Sequence, residues 1–202
     1  MPRHVDHDAR RRQLAQAVCE LIAEHGIEAV TLREVAARAG VSMGAVQRAF
    51  AKDGMLLFAL EYVITRVTER GQQRIADSGS PESARTLLLT TLQEMTLAAD
   101  DDAVPARVWL TFAAQAAVRD DLATVLRDHH AKSMELLTWL IDYGQRVGEI
   151  RADVTAASEA ERLHTLLDGI TLRIAVKTTT HRASRQLIDH ATSHLWTPSP
   201  DN

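Results

Sequence analysis

The sequence predicts an all-α protein of about nine helices, in which a three-helix N-terminal unit precedes a larger bundle of longer helices. Apolar residues recur at helical spacing along most of the chain. No run of alternating polar and apolar residues lies between hairpin turns, so no sheet is predicted. With 202 residues, 46% of them hydrophobic, the chain is long and apolar enough to bury a sizeable core.

Caps and glycines mark out three short helices within residues 1–52. These boundary residues are Gly26, Thr31 with Glu34, Gly40 and Ser42. Each glycine can adopt the left-handed conformation that ends a helix, whereas the T-x-x-E capping box and the serine each begin one. The predicted helices therefore cover about residues 10–25, 31–39 and 42–50.

Longer helices follow from residue 53 onward and form the predicted bundle. Asp53 is placed to cap a helix that runs towards Arg74, and Ser80 followed by Pro81 is placed to begin the next one. The helices after it are expected at about residues 81–99, 104–118, 120–147, 155–177 and 183–196. We therefore divide the chain into an N-terminal domain, residues 1–52, and a bundle domain, residues 53–202.

Charge is distributed unevenly between these two domains. The whole chain carries a net charge of −4, yet residues 1–52 hold eight Lys and Arg against six Asp and Glu. Residues 53–202 hold fifteen against twenty-one. A basic N-terminal domain on an acidic body fits a nucleic-acid contact at the first domain.

The composition also indicates a cytoplasmic protein. A single cysteine, Cys19, excludes an intramolecular disulfide and fits a reducing compartment. The longest apolar stretches, such as MLLFAL at 55–60, are far shorter than the roughly 20 residues that a membrane span needs. The N-terminal cations have no apolar run behind them, so neither a signal peptide nor a membrane partner is predicted.

The stretch TLREVAARAGVSMGAVQRAF, residues 31–50, has the pattern of a helix-turn-helix. This motif needs a small residue where its two helices cross and a permissive residue in the turn, and Ala36 and Gly40 supply them. The apolar residues available for its buried face are Leu32, Val35, Ala39, Val41, Val46 and Phe50. The second helix of such a unit lies in the major groove, so the predicted partner is a double-stranded DNA operator.

Residues 10–60 resemble the DNA-binding region of the TetR/AcrR transcriptional regulators. The resemblance rests on EHGIEAVTLREVAARAGVSMGAVQRAF followed by LLFAL, which match a family pattern of H-G, a threonine, A-x-x-A-G-V-S-x-G, then F and L-L-x-A-L. Three later segments, RVWLTFAAQAAV, GQRVGEIRADV and LLDGITLR, are similar to regulatory domains of the family's choline-responsive, betaine-pathway branch. The resemblance implies a transcriptional regulator with a ligand-sensing bundle.

Carried over by position, the resemblance implies a set of DNA-contacting residues. They are Thr31, Ser42, Met43, Gly44, Ala45, Gln47, Arg48 and Lys52. The hydroxyls of Thr31 and Ser42 would reach phosphates from helix N-termini, a use that helix-end physics also favours. Arg48 suits guanine and Gln47 suits adenine, so these two are the candidates for base reading; the alternative is that both are ordinary solvated residues.

The chain departs from the family pattern at four positions. The family's usual threonine, tyrosine, histidine and lysine are replaced by Ala45, Gln47, Ala49 and Asp53. Lys52, one position before Asp53, is the predicted substitute for the lysine's phosphate contact. The run Arg10 to Arg12 either adds phosphate contacts or is a solvated helix start. Arg33 and Arg38 lie on the first helix of the pair, which usually positions the second rather than reads bases.

Aromatic residues concentrate in the bundle, and some are candidates for a ligand pocket. Trp109 and Phe112 share one helical face, which is either core or pocket wall. The predicted pocket residues for a small-molecule effector are Tyr62, Met95, Trp109, Phe112 and His129. A quaternary amine would find cation–π contacts among these rings. For His129 the favoured alternative is a core histidine bonded to a neighbour.

The last two helices carry more apolar side chains than a monomer is expected to bury. These residues are Leu163, Leu166, Leu167, Ile170, Ile174, Leu187, Ile188, Ala191 and Leu195. We therefore predict a symmetric helix-pair interface and a homodimer. Two recognition helices about 34 Å apart would then read a palindromic operator in successive major grooves.

The sequence contains no recognisable catalytic or metal-binding constellation. It lacks a phosphate-binding glycine loop, an H-E-x-x-H motif and a nucleophile elbow. His190 and His194 share a helix face, but no third metal ligand is evident. We therefore expect no enzyme activity, metal or cofactor, and predict a repressor that a small-molecule effector releases from DNA. The alternative is an all-α binding protein or enzyme that retains a vestigial helix-turn-helix.

Overall fold

The computed structural model describes residues 3–50, 54–98 and 103–198, and over these ranges the chain folds into nine α-helices. They are α1 (Arg3–His25), α2 (Leu32–Ala39), α3 (Met43–Ala49), α4 (Met55–Ala76), α5 (Ala84–Met95), α6 (Val104–Ala116), α7 (Asp120–Arg146), α8 (Ala156–Ala175) and α9 (His181–Thr192). Short 3-10 turns follow α1 and α9. The β contact within these ranges is one isolated bridge between Ile150 and Trp196, so the all-α prediction is confirmed.

The first three helices pack on one another through apolar side chains and two polar ties. Their buried residues include Leu14, Val18, Leu21, Ile22, Val35, Ala36, Val46 and Phe50. Gln13 of α1 donates its side-chain amide to the carbonyl of Ala39 at 2.8 Å, which satisfies one of the free carbonyls at the end of α2. Arg38 of α2 donates two hydrogen bonds to the carboxylate of Glu24 on α1, at 2.9 and 2.6 Å. These ties set the position of α2 against α1.

Helix α4 connects this N-terminal unit with the rest of the bundle. Its first turns bury Leu56, Ala59 and Leu60, and the carbonyl of Ala59 lies 3.7 Å from Cys19 Sγ on α1. The same helix packs against α5 and α6. One continuous helix therefore contacts both the N-terminal unit and the helices behind it.

Near its end, α4 holds a buried carboxylate of α5 between two arginines. Arg70 Nε lies 2.5 Å from Glu94 Oε2, and Arg74 Nη1 lies 2.6 Å from Glu94 Oε1. Glu94 is only 5% exposed. Gly71 faces it closely, since a Cβ on that glycine would lie 3.3 Å from Glu94 Cγ. This ion cluster, defined as Arg70, Arg74 and Glu94, ties α4 to α5.

The start of α5 lies three residues later than predicted. Ser83, rather than Ser80, is the N-cap, and its hydroxyl accepts the amide of Thr86 at 3.4 Å. The same hydroxyl donates to Glu149 Oε2 at 2.8 Å, and that carboxylate also accepts the amide of Arg85 at 2.9 Å. A residue more than 60 positions away thus stabilises this start, and local sequence contains no sign of it.

Helix α1 begins at Arg3, well before the predicted start near residue 10, whereas the other helix ends differ from the prediction by a few residues. Gly26 has a positive φ of 79°, but its ψ of 176° is extended because the chain enters a 3-10 turn at once. Thr180 caps α9, which therefore begins two residues before the predicted start. The N-cap residue of α4 is Gly54. Asp53, the predicted cap, lies outside the described residues.

The apolar residues predicted for a dimer interface lie mostly inside the single chain. Those that are buried there are Leu163, Leu167, Ile170, Ile174, Ile188 and Leu195. Leu166, Leu187 and Ala191 are half-buried. The prediction is wrong for the buried six because α5, α6 and α7 pack onto these faces of α8 and α9. Leu172 of α8 and Val176, the residue that follows α8, are large apolar side chains that remain 49% and 56% exposed.

Candidate DNA-binding surface and ligand cavity

The turn between α2 and α3 has the geometry of a helix-turn-helix. Gly40 ends α2 in the left-handed conformation, at φ 63° and ψ 36°, where any side chain would add strain. The amide of Val41 donates to the carbonyl of Ala36 at 3.0 Å, and that of Gly40 donates to Ala37 at 3.3 Å. These two bonds form a Schellman motif and turn the chain sharply into α3.

Helix α3 buries one face and presents the opposite one to solvent. Val46 is fully buried, whereas Met43 is 51% exposed. Gln47 and Arg48 are also exposed, one turn after Met43 and Gly44. The guanidinium of Arg48 folds back along the helix, since a Cβ on Gly44 would lie 3.7 Å from its Nη1. The candidate base-reading side chains therefore share the outward surface of one short helix.

Both predicted phosphate-contacting hydroxyls cap helices. Thr31 Oγ1 accepts the amide of Glu34 at 3.2 Å, and Ser42 Oγ accepts the amide of Ala45 at 3.3 Å. Each hydroxyl is exposed and keeps its own proton to donate to a phosphate oxygen. Ala45 is half-buried at the first turn of α3. Lys52, the remaining predicted contact, lies outside the described residues.

Two arginines of the N-terminal unit are held by internal contacts. Hydrogen bonds to Glu24 and Glu20 raise the pKa of Arg38 above its ordinary value, so this side chain ties α2 to α1. The guanidinium of Arg11 lies over the ring of Phe58 on α4, 5.1 Å from its centroid. Both contacts give these cations a structural role in the packing of the N-terminal unit.

A cavity of about 510 Å³ opens among α4, the end of α5, α6, α7 and α8. Its apolar wall includes Ile64, Val67, Met95, Leu97, Trp109 and Leu136. Ligand pockets in proteins commonly measure about 300–1,000 Å³ and are mainly apolar with a few polar groups. The size and lining of this cavity therefore suit a small organic molecule.

Three of the five predicted pocket residues line this cavity. They are Met95, Trp109 and His129, and the rings of the last two meet edge to face at 5.2 Å. Phe112 does not line it, because its side chain is fully buried in the core. Tyr62 does not either, since it borders a separate shallow depression between α1 and α4 beside Arg11. The prediction is corrected for both residues.

Polar side chains of α7 and α8 complete the cavity, and the sequence analysis did not find them. They include Lys132, Ser133, His164, Asp168 and Thr171. His164 Nδ1 lies 3.6 Å from Asp168 Oδ2, and Ser133 Oγ lies 3.5 Å from His129 Nδ1. A usable signal was present: positions 164, 168 and 171 follow helical spacing on a largely apolar helix. Of all the Phe, Tyr and Trp residues, each of which the structure describes, only Trp109 lines the cavity.

The surroundings of His129 favour the neutral form of its imidazole. Burial lowers the pKa of His129, and electrostatic interactions with nearby His164 and Lys132 lower it further. The imidazole can therefore donate and accept hydrogen bonds at the cavity wall near neutral pH. Among the described residues, no group of three His, Cys, Asp or Glu side chains could hold a metal ion.

The lowered pKa of His129 predicts a loss of stability in mild acid. Unfolded histidine titrates near pH 6.5, so below about that pH the unfolded chain takes up a proton that folded His129 resists. As the pH is lowered, the free energy of unfolding should therefore decrease more in the wild type than in His129→Gln, whose side chain at position 129 cannot titrate. Urea unfolding at about pH 7.5 and pH 5.5 measures this difference. Parallel losses in the two proteins would contradict it.

Comparisons with known proteins identify the family to which this geometry belongs. Residues 14–58 match the family model for "Bacterial regulatory proteins, tetR family". Residues 83–197, more than half of the chain, match the model for "BetI-type transcriptional repressor, C-terminal". The chain belongs to the TetR family. Over the described ranges of this TetR-family protein, no helix is long and apolar enough to cross a membrane.

Individual relatives agree with this family across nearly the whole chain. The regulator PksA of Bacillus subtilis is 29% identical over 197 residues, covering 96% of this chain and 93% of its own. The regulator BetI of Burkholderia ambifaria is 30% identical over 183 residues, covering 87% of each. A regulator from Saccharomonospora viridis in complex with choline has the same fold, with a TM-score of 0.79 at 21% identity over 95% of this chain and 100% of that one. The protein is a TetR-family transcriptional regulator and not an enzyme.

Proposed function

We propose that this TetR-family regulator represses transcription from a palindromic operator and leaves it when a small molecule occupies the cavity. The observation that carries the proposal is the double role of α4. Its first turns pack against α1, while Ile64, Val67 and Thr68 further along line the cavity. A ligand that binds better to a different position of α4 would shift the population away from the DNA-binding arrangement.

The surface of α3 supports the DNA-binding half of this proposal. Met43, Gln47 and Arg48 project outward from a helix whose turn and caps are firmly hydrogen-bonded. Thr31 and Ser42 stand at two helix N-termini, where backbone amides and hydroxyls favour phosphate. We assign base contacts to Arg48 and Gln47, apolar contact to Met43, and phosphate contacts to Thr31, Ser42 and the undescribed Lys52.

The effector in this proposal is an organic molecule that is apolar over most of its surface and carries one hydrogen-bonding group. The mostly apolar wall would bind its body, and Ser133, His129 and Asp168 would bind its polar group. A regulator of the same fold in complex with choline supports a small-molecule effector. Because Trp109 is the single large aromatic ring on the wall, we do not assign an aromatic cage for a quaternary amine.

The proposed active form is a homodimer that acts in the cytoplasm. Leu172 on α8 and Val176, just after its end, are exposed, and Gly169, one turn before Leu172, has nothing within 4 Å of the place where a Cβ would lie. A second copy can therefore approach this face closely and cover its apolar residues. Sedimentation equilibrium should give twice the chain mass of 22.3 kDa; a monomer at operator-binding concentrations would contradict the dimer.

A gel-shift titration tests the proposed function directly. The probe is duplex DNA from upstream of the protein's own gene, and random duplex of equal length is the competitor. We expect a shift that survives the competitor and weakens steeply as salt rises, since phosphate contacts release counterions. No sequence-preferring shift on that DNA or on DNA selected from a random pool would refute the proposal.

Arg48→Ala should relax base preference rather than abolish binding. A bidentate contact to one base contributes about 1–3 kcal/mol of discrimination. The difference in binding free energy between operator and random DNA should therefore decrease by about that amount. Lys52→Ala should instead weaken all sequences together and flatten the salt dependence. Arg33→Ala, on the exposed face of α2, is the matched control and should leave the preference unchanged. Equal losses on operator and random DNA for Arg48→Ala would show that Arg48 does not read a base.

A further inference from the structure

Arg107 joins the ends of two helices that belong to different parts of the protein. It lies on α6, where its Nη1 donates to the carbonyl of Ala23 at 2.8 Å and its Nε donates to the carbonyl of Ala175 at 3.3 Å. Ala23 is in the last turn of α1, and Ala175 is the last residue of α8. One half-buried guanidinium therefore binds carbonyls at both helix ends.

The chemistry of these two helix ends suits an arginine. The last four carbonyls of a helix have no partner within that helix, and they carry the negative end of its dipole. A planar guanidinium can donate from several nitrogens in fixed directions, so it can bond two such ends at once. A lysine ammonium has no comparable fork. Arg107 thus bridges the carboxyl ends of α1 and α8.

The helix that carries Arg107 is also a wall of the cavity. Trp109, two residues further along α6, lines the cavity, and its ring meets that of His129 on α7 edge to face. Residues two apart on a helix point to nearly opposite sides, so α6 touches the cavity with one face and the two helix ends with the other. Helix α8 is a cavity wall as well, through His164 and Thr171. Arg107 therefore connects two cavity walls, α6 and α8, with α1 of the N-terminal unit (α1 to α3), which is the proposed DNA-binding unit.

We propose that Arg107 is a positioning residue that transmits the state of the cavity to the DNA-binding unit, by tying the carboxyl ends of α1 and α8 to the helix that carries Trp109. This route is separate from α4, which reaches the same unit through its own packing on α1. The inference rests on the proposed effector role of the cavity. It assigns the coupling to one side chain that touches neither DNA nor the cavity.

The test measures the distance between the DNA-binding unit and the bundle without any ligand or operator. Spin labels are placed at Arg33→Cys on α2 and Glu135→Cys on α7, both exposed sites, in a full-length Cys19→Ala background. Labelled chains are diluted with unlabelled chains, so that distances within one chain dominate. Trp109→Ala serves as the perturbation of the cavity, and each variant is first checked for native helix content.

A double-mutant cycle between Trp109→Ala and Arg107→Met gives the decisive result. We expect Trp109→Ala to shift the distance distribution while Arg107 is present, and Arg107→Met alone to broaden it. In the Arg107→Met background, Trp109→Ala should produce no further shift. Arg107→Lys retains the charge but not the planar guanidinium, so the width of its distance distribution should lie between those of the wild type and Arg107→Met. If Arg107→Met fails to fold, Arg107→Lys takes its place in the cycle.

Arg162→Met is the matched control for general loosening. Arg162 also donates to a helix-end carbonyl, that of Ala191 on α9, but it lies on α8 and holds no contact with α1 among its hydrogen bonds to described residues. The control should leave the distribution unchanged. The proposal is overturned if the two substitutions of the cycle act additively, if Trp109→Ala causes no shift, or if Arg162→Met broadens the distribution equally. Because no operator is used, failure here is distinct from failure of the gel-shift test.

Discussion

Phe112→Ala is expected to lower the free energy of unfolding by about 3–5 kcal/mol. The side chain has no exposed surface and lies in the core of the bundle, so its removal leaves a cavity that the surrounding helices can fill only in part. Urea denaturation at one fixed protomer concentration measures the loss, because stability depends on concentration in a homodimer.

Trp109→Ala is the comparison that gives the Phe112 result its meaning. Trp109 is only partly buried and borders space that is already open, so its removal creates less new cavity and should cost less stability than Phe112→Ala. The affinity for the effector should instead decrease more in Trp109→Ala than in Phe112→Ala. If Phe112→Ala cost little stability and abolished effector binding, Phe112 would be a pocket residue after all.

Removing both arginines of the ion cluster should be the second large effect. Arg70→Met with Arg74→Met leaves the carboxylate of Glu94 buried with no cation, and breaking a buried ion pair in this way costs about 3–5 kcal/mol. Glu94→Gln should cost less, since about a third of each arginine side chain is exposed and its charge can turn to water. Denaturant unfolding of the two variants measures this asymmetry.

A triple variant separates charge from packing in the same cluster. Adding Glu94→Leu to Arg70→Met and Arg74→Met removes the buried charge and should recover most of the lost stability, because an apolar set of similar volume commonly matches a buried ion cluster. Arg66→Met, whose pair with Glu69 is exposed, is the surface control and should change stability by less than about 1 kcal/mol. A triple variant as unstable as the double variant would show that the cluster acts mainly through its shape.

The helix-turn-helix is the part of the structure that sequence reasoning predicted best. Its caps, its turn and its buried face depend on residues within a few positions of one another. Thr31 caps Glu34, Ser42 caps Ala45, and Gly40 turns the chain back onto Ala36. Each of these contacts spans three to five residues, so the residue types alone predict it.

The ligand cavity could be predicted only in part, because its wall comes from five helices spread along the chain. Trp109 and Phe112 lie three positions apart and look alike as a pattern, yet one borders the cavity and the other is buried in the core. Which of the two faces a void depends on how α6 is rotated against α4, α7 and α8. Periodicity shows that a face is apolar and does not show what that face meets.

The apolar faces of α8 and α9 illustrate the same division. The sequence by itself determined that these helices have such faces, together with the family, the helix-turn-helix and most helix boundaries. Only the tertiary structure decided that Leu163, Ile170 and Ile188 pack inside the chain, that Arg107 joins α1 to α8, and that Glu149 caps α5. The physical reason is the sequence separation of the interacting residues. Caps and turns form between residues a few positions apart, whereas burial and long-range hydrogen bonds depend on which helices pack together.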